Sequence, residues 1–318
     1  MAIYSRFDTK FLATVQGVSY IGKPRSNTIL YLSKKIEEKI HCLANVSNCL
    51  VFVENTIVIP PVIEKANTFI TCSDPASVYT EVAIKLEQKI VDENRKKQYR
   101  LTEKGYVIGE GVLLGKDVVI EPGAFVDHGV RIGNNVLIKT GVRIRRNTCI
   151  GDDCVIGENT VIGEPAFNTA TLSDGRFVVM PSFGGVRIGN NVFMGANNAI
   201  SRGNADDTVI EDNVKIDSNV RIGHDVHLHR NVEIIGRAGI GGYCDIGEFT
   251  VVSGDTSLKN RINIGKHCFI GMGSIVHHDV RDNMTITGNP AISLEQAAKK
   301  KIIEVKLREL LKKHNSKD

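Results

Sequence analysis

The residues whose types and spacing could do chemistry lie in one stretch, Lys215-Ile216-Asp217-Ser218-Asn219-Val220-Arg221-Ile222-Gly223-His224-Asp225-Val226. Proton transfer from a reacting nucleophile needs a base, and charge that develops on the group it attacks needs donors. An imidazole titrating near neutrality suits the first task, and His224 is the candidate for it. His227 and His229 extend the stretch to an H-x2-H-x-H run, three imidazoles that could instead ligate zinc. Alternation along a strand sends residues 224 and 227 to opposite faces, so no metal site is expected. The seven cysteines form no CxxC pair, which indicates neither a disulfide nor a cysteine zinc site, and their odd number fits a reducing compartment.

The element that must position His224 is a repeat. From Ile108 every sixth residue is aliphatic: Leu114, Ile120, Val126, Ile132, Ile138, Ile144, Ile150, Ile156 and Ile162. The phase resumes at Ile188, Met194 and Ile200 and then runs unbroken from Ile210 to Val276. Each hexad reads as one short strand plus a turn, with the aliphatic side chain inward and three hexads closing one triangular coil. Glycine often follows the aliphatic residue, as in Ile132-Gly133 and Ile222-Gly223, which suggests a backbone conformation that only glycine adopts freely. Stacked coils pair their backbones and bury ladders of Ile, Val and Leu that no single hexad could bury alone. Ordinary amphipathic strands of a sandwich alternate with period two and do not hold a period of six over such a length. His224 lies two residues after the inward Ile222, so it should face outward from a rigid wall.

Two breaks interrupt the register, between Ile162 and Ile188 and between Ile200 and Ile210. Residues that cannot serve the prism are extruded as loops, and loops on a rigid scaffold are where sites tend to be built. Outside the repeat, short β-like runs (17–21, 50–53, 57–59, 69–72) alternate with helix-like stretches (33–40, 75–98), the pattern of a small α/β domain. At the far end Ser293 reads as the N-cap of a helix over LEQAAKKKIIEVKLRELLKKH. The expected domains are therefore 1–100, 101–290 and 291–318. Forty basic and 36 acidic residues, a net +4, are too balanced for a nucleic-acid protein. No apolar run approaches the roughly 20 residues that cross a bilayer, and the start lacks a signal-peptide pattern, so a cytoplasmic protein without an integral membrane segment is expected.

The hexads, the Arg202-Gly203-Asn204-Ala205-Asp206-Asp207-Thr208 segment and the stretch from Ile216-Asp217 to His224-Asp225-Val226 resemble the UDP-3-O-acylglucosamine N-acyltransferases of lipid A synthesis. The similarity covers about residues 10 to 290. It implies a mostly β fold, a left-handed parallel β-helix with a small N-terminal α/β domain that holds the nucleotide and a C-terminal helix. It also implies a homotrimer with active sites between neighbouring subunits and His224 as general base. Tyr31, in Ile29-Leu30-Tyr31-Leu32-Ser33, matches the aromatic residue that stacks on the nucleotide base. Arg202, Asp217 and Asn219 are the further substrate-binding candidates by this resemblance, and Gly271, Gly288, Asn289 and Pro290 those for the acyl donor.

Departures from the family shift the expected substrate. Lys34 stands where the family has asparagine, Glu164-Pro165-Ala166-Phe167-Asn168 replaces a D-G-F-G-F stretch, and the family's downstream second histidine has no counterpart that can be placed. Gly288-Asn289-Pro290-Ala291 is similar to the ending of hexapeptide acyltransferases that use coenzyme A donors. The resulting expectation is a relative that moves an acetyl or 3-hydroxybutyryl group from acyl-CoA to the amine of a nucleotide-linked deoxyamino sugar, of the dTDP-3-amino-3,6-dideoxyhexose type, in lipopolysaccharide or O-antigen synthesis. No cofactor is expected to stay bound. The alternatives are the lipid A enzyme itself, using acyl carrier protein (ACP) thioesters, a β-helix zinc enzyme resembling carbonic anhydrases, and an inactive scaffold.

Overall fold

The computed structural model describes residues 15–315; the first fourteen residues of the expected 1–100 domain and the last three of the 291–318 segment lie outside the described residues. The chain divides into two compact units, and each is built from non-contiguous segments.

The larger unit holds residues 99–164, 185–202 and 207–318. Its hexads form strands of two or three residues gathered into three sheets of 8, 10 and 10 strands. Where the hexads are uninterrupted, a rung pairs in parallel with the residue 18 further on: Ile132 with Ile150, Ile138 with Ile156, Ile144 with Ile162. Three hexads per coil, as the period implies, is what this register means. The inward aliphatics, Ile138, Ile156, Ile200, Ile216, Ile222 and Ile234 among them, are fully buried. So are the residues four positions on from many of them, including Val130, Val142, Val214 and Val226, and each buried side chain of this size contributes about 2 kcal/mol. The ladder passes both register breaks unharmed, since Ile150 pairs with Ile188 and Ile188 with Ile210. One end is closed by the antiparallel strand Tyr99–Leu101 and the other by Ile292–Ser293, which keeps the terminal coils from presenting bare edges. The helix Leu294–Asn315 then starts at a capping box, with Ser293 Oγ accepting from the Gln296 N–H and Gln296 Oε1 from the Ser293 N–H, each at 3.1 Å.

The turns correct one reading of the repeat. The left-handed backbone falls three residues after the inward aliphatic, at Asn135, Asn159, Asn219, Asp225 and Asn231 among others, and not at the glycine that follows it, Gly163 at φ +84 excepted. Asn and Asp dominate these corners because their short polar side chains tolerate that region best after glycine. The glycine directly after the aliphatic answers to crowding instead. A Cβ built on Gly223 would come within 2.6 Å of the Gly242 nitrogen and 2.9 Å of the Gly241 carbonyl carbon in the next coil.

The smaller unit holds the N-terminal residues to 98 together with 165–184 and 203–206. Its parallel sheet consists of Gly17–Val18, Thr28–Leu32, Leu50–Glu54 and Thr68–Cys72, flanked by the 3-10 segment Lys34–Asn45 and the helix Pro75–Arg95. The apolar run 57–59 forms no strand, and the second strand is Thr28–Leu32, whose unbroken apolar run reflects burial on both faces. Ile29 and Phe52 pack with Val82 and Leu86 on one side, Leu30 and Val51 with Leu43 and Ile63 on the other. The segments expelled from the hexad register are part of this unit. Phe183 donates its N–H to the Asn204 carbonyl at 2.7 Å, and Arg25 reaches Asp206 Oδ1 at 2.7 Å and the Ala205 carbonyl at 2.6 Å. No helix among the described residues is long and apolar enough to cross a membrane.

Candidate functional site

His224 sits at the corner that follows the strand Arg221–Ile222. Ile222 is fully buried and anchors the corner from within; Gly223, pressed on the coil below, allows the chain to pass; and Asp225, at φ +55, turns it. His224 Nδ1 lies 2.8 Å from Asp225 Oδ2, and the Asp225 N–H donates to Thr208 Oγ1 at 2.9 Å. A carboxylate only accepts, so this contact puts the proton on Nδ1 and leaves Nε2 as the basic nitrogen. The histidine side chain keeps 16% of its surface exposed and its aspartate 5%, a geometry in which the ring is held yet reachable.

One coil further, Tyr243 meets the imidazole edge-on with ring centroids 4.9 Å apart, and the Arg261 guanidinium lies 4.1 Å above the tyrosine ring. A Cβ on Gly242 would come 2.7 Å from His224 Nε2, so the space the imidazole fills exists because residue 242 has no side chain. Gly242 and Tyr243 escape a reading of the local motif. Adding one coil of 18 residues to 224 and 225 is the signal that finds them.

The other expected site residues fall on separate elements. Tyr31 is half-buried on the strand Thr28–Leu32 of the smaller unit, tilted against Tyr79 at 5.2 Å. Arg202 is 2% exposed at the root of a register break, its N–H donating to the Glu164 carbonyl at 2.9 Å. Asp217 ties turns together, Oδ1 accepting from the Ser218 N–H at 2.7 Å and Oδ2 from the Gly236 N–H at 3.0 Å. Asn219 occupies a left-handed corner at φ +61. Asp217 and Asn219 follow the strand Lys215–Ile216 and His224 follows the next strand, which belongs to a different sheet, so a single chain does not gather them at one corner. Among the donor-site candidates, Gly271 and Gly288 meet at Ser274, whose hydroxyl donates to the Gly271 carbonyl at 2.6 Å and accepts from the Gly288 N–H at 3.2 Å; Asn289-Pro290 is a cis peptide. The H-x2-H-x-H run divides, with His224 paired to Asp225 while His227 and His229 group with Glu211.

Residues 105–146 and 129–164 match the bacterial transferase hexapeptide (six repeats) model, and residues 185–224 and 261–293 the hexapeptide repeat of succinyl-transferase. A UDP-3-O-acylglucosamine N-acyltransferase from Janthinobacterium is 29% identical over 114 residues, covering 36% of this chain and 33% of the relative. Another from Hahella chejuensis is 33% identical over 116 residues, covering 36% and 28%. The chain thus spans about a third of the length of the curated relatives it matches. Among solved structures, a UDP-N-acetylglucosamine acyltransferase from Campylobacter jejuni superposes with a TM-score of 0.54 at 33% identity, over 59% of this chain and 72% of that one. The mostly β fold is that of a left-handed parallel β-helix.

Proposed function

The chain belongs to the hexapeptide-repeat acyltransferases, and on that premise we propose that it moves an acyl group from a thioester to the amine of a nucleotide-linked amino sugar, with His224 as general base. The observation that carries the reading is the His224–Asp225 pair at 2.8 Å on a wall whose position is fixed by the buried ladder. In the reaction Nε2 takes a proton from the nitrogen as that nitrogen bonds to the thioester carbonyl carbon. The tetrahedral intermediate then collapses with loss of the C–S bond, and the thiolate leaves with the proton returned from the imidazolium. Asp225 holds the ring in the working tautomer and balances the charge it acquires.

The donor we propose is a short acyl-CoA, acetyl or 3-hydroxybutyryl, and the acceptor a dTDP-3-amino-3,6-dideoxyhexose. The Gly288-Asn289-Pro290-Ala291 ending supports the donor. Tyr31 would stack on the nucleotide base, Arg202, Asp217 and Asn219 would contact the sugar nucleotide, and Gly271, Gly288, Asn289 and Pro290 the donor. The active assembly would be a cytoplasmic homotrimer with sites between subunits, which answers the placement of these residues on separate elements of one chain. A second reading has the substrates of lipid A synthesis, UDP-3-O-acylglucosamine and acyl carrier protein thioesters; the similarity to acyltransferases of that name supports it.

A thiol-release assay separates the two. Purified protein is offered acetyl-CoA or 3-hydroxybutyryl-CoA with dTDP-amino sugars in one arm, and carrier-protein thioesters with UDP-3-O-acylglucosamine in the other. Release in the first arm only supports the proposal; release in the second only selects the lipid A substrates. In the productive arm His224→Ala should lower turnover by roughly 10² to 10⁴. An unchanged rate removes His224 from the base role.

A further inference from the structure

Four outward side chains from three successive coils converge on the sheet that contains Thr208–Ile210, His227–Leu228 and Asp245–Ile246. The register places Ile210 beside Leu228 and Leu228 beside Ile246, so the residues flanking these inward positions meet on the outer surface. His227 Nε2 lies 2.7 Å and His229 Nδ1 3.4 Å from the same oxygen, Glu211 Oε1. The opposite nitrogens face the coil below: His229 Nε2 is 3.0 Å from Asp245 Oδ1, and His227 Nδ1 is 3.6 Å from Asp245 Oδ2. The two rings stack with centroids 3.9 Å apart and planes at 25°. One donor atom each from Glu211, His227 and His229 lies within 4.8 Å of the others.

We propose that Glu211, His227 and His229 bind one divalent transition-metal ion of the zinc class per chain. Two imidazole nitrogens and a carboxylate oxygen form a donor set suited to zinc and ill suited to magnesium or calcium, which prefer oxygen ligands alone. Asp245 supplies what such a site needs behind its histidines. It accepts from the far nitrogen of His229, fixing the ring so that its Nδ1 lone pair points to the ion, and its other oxygen lies 3.6 Å from His227 Nδ1, a charge contact and not a hydrogen bond. Charge agrees as well, because two carboxylates with neutral imidazoles carry −2 against the ion's +2. Ligand atoms around a tetrahedral zinc with bonds of about 2.1 Å are about 3.4 Å apart. The His229–Glu211 separation already has that value; the His227–Glu211 hydrogen bond at 2.7 Å opens slightly and is replaced by two metal bonds. All four side chains are partly exposed, so an ion reaches them from solvent. Bound there, it adds a clamp to coils that are already joined by backbone pairing, the inner ladder and side-chain contacts such as Arg230 to Glu248.

The alternative is an ion-pair quartet of protonated histidines between two carboxylates, with no metal. Titration of the chelator-stripped full-length chain with Zn²⁺, followed by calorimetry and by thermal melting, decides. The expected result is one Zn²⁺ per chain, a higher Tm with Zn²⁺, and no response to Mg²⁺. Glu211→Gln, His227→Gln and His229→Gln should each weaken binding at least about 10-fold, and Asp245→Asn about 10- to 100-fold. His224→Ala should keep full stoichiometry, so this outcome stands apart from the assignment of the catalytic base. Absence of saturable binding, or Zn²⁺ binding that survives His227→Gln/His229→Gln, overturns the proposal. All these side chains point outward and none belongs to the inner ladder, so the variants keep the fold.

Discussion

At the residue scale, His224 owes its pose to neighbours that do no chemistry themselves. Asp225 takes a left-handed backbone that most residues avoid, and from there its carboxylate reaches back to the adjacent ring. Gly242 leaves the volume that the ring occupies. Gly242→Ala should therefore fold normally yet displace the imidazole, and a misplacement of about 1 Å at a reacting group reduces turnover on the order of 10²-fold. Measured kcat together with an unshifted melting curve would show it; a variant with full kcat would mean that the ring does not work from this pose. His224 itself is legible from residue type and from its offset from an inward isoleucine. Tyr243 and Gly242 are legible only after the six-residue period has been converted to a coil of 18, and nothing local marks Thr208 as the acceptor that steadies Asp225.

At the scale of the element, the antiparallel strand Tyr99–Leu101 closes the first coils through one polar cluster. The Tyr99 hydroxyl donates to Asp127 Oδ1 at 2.8 Å and its ring lies 4.2 Å from that of His128. Burial, then the hydrogen bond to Asp127 and that carboxylate's charge, push the phenol up to about 12. Burial would raise Asp127, but the hydrogen bonds from Tyr99 and from the N–H groups of His128 and Arg146, with the nearby Arg145, outweigh it and hold the carboxyl below its ordinary value. A phenol raised in the folded state stabilises fully below its unfolded value near 10, and that contribution disappears as pH climbs from about 10 to 12. Urea midpoints across this window should fall more steeply for the native chain than for Tyr99→Phe, and parallel curves would exclude the coupling. Because the tyrosine is about half exposed, the difference will be modest. Its partner strand Val107–Gly109 carries the first hexad aliphatic, Ile108, but Tyr99–Leu101 lies outside the hexad pattern, and one three-residue run has too little periodicity to reveal a cap. The glycines were visible, but their reason was not: sequence shows the residue, whereas only stacking shows that the next coil leaves no room for a Cβ.

At the scale of the whole molecule, the inner ladder is the property that sequence shows best, because one hydrophobic choice is repeated every six residues over nearly half of the chain. Ile222→Lys places an unpaired ammonium at a fully buried rung and should prevent folding, the desolvation cost exceeding what neighbouring coils can offset. Soluble Ile222→Lys protein with a native melting transition would refute the inward assignment. The smaller unit was far less legible. It draws on segments 165–184 and 203–206 through contacts such as Arg25 to Asp206, 181 residues apart, and pairings at that separation leave no mark in local spacing. The prism differs in this respect. Its rungs meet partners 18 residues away except where a loop intervenes, as at Ile150 and Ile188, and in the shortened last coil, as at Ile270 and Ile286. Divided by the about 200 residues of the larger unit, a separation of 18 gives a relative contact order of about 0.09 for the ladder, within the range of helical bundles even though its rungs are parallel β. Closing each new coil therefore carries the same small entropic penalty as the last, and the prism can grow outward from any nucleus one coil at a time.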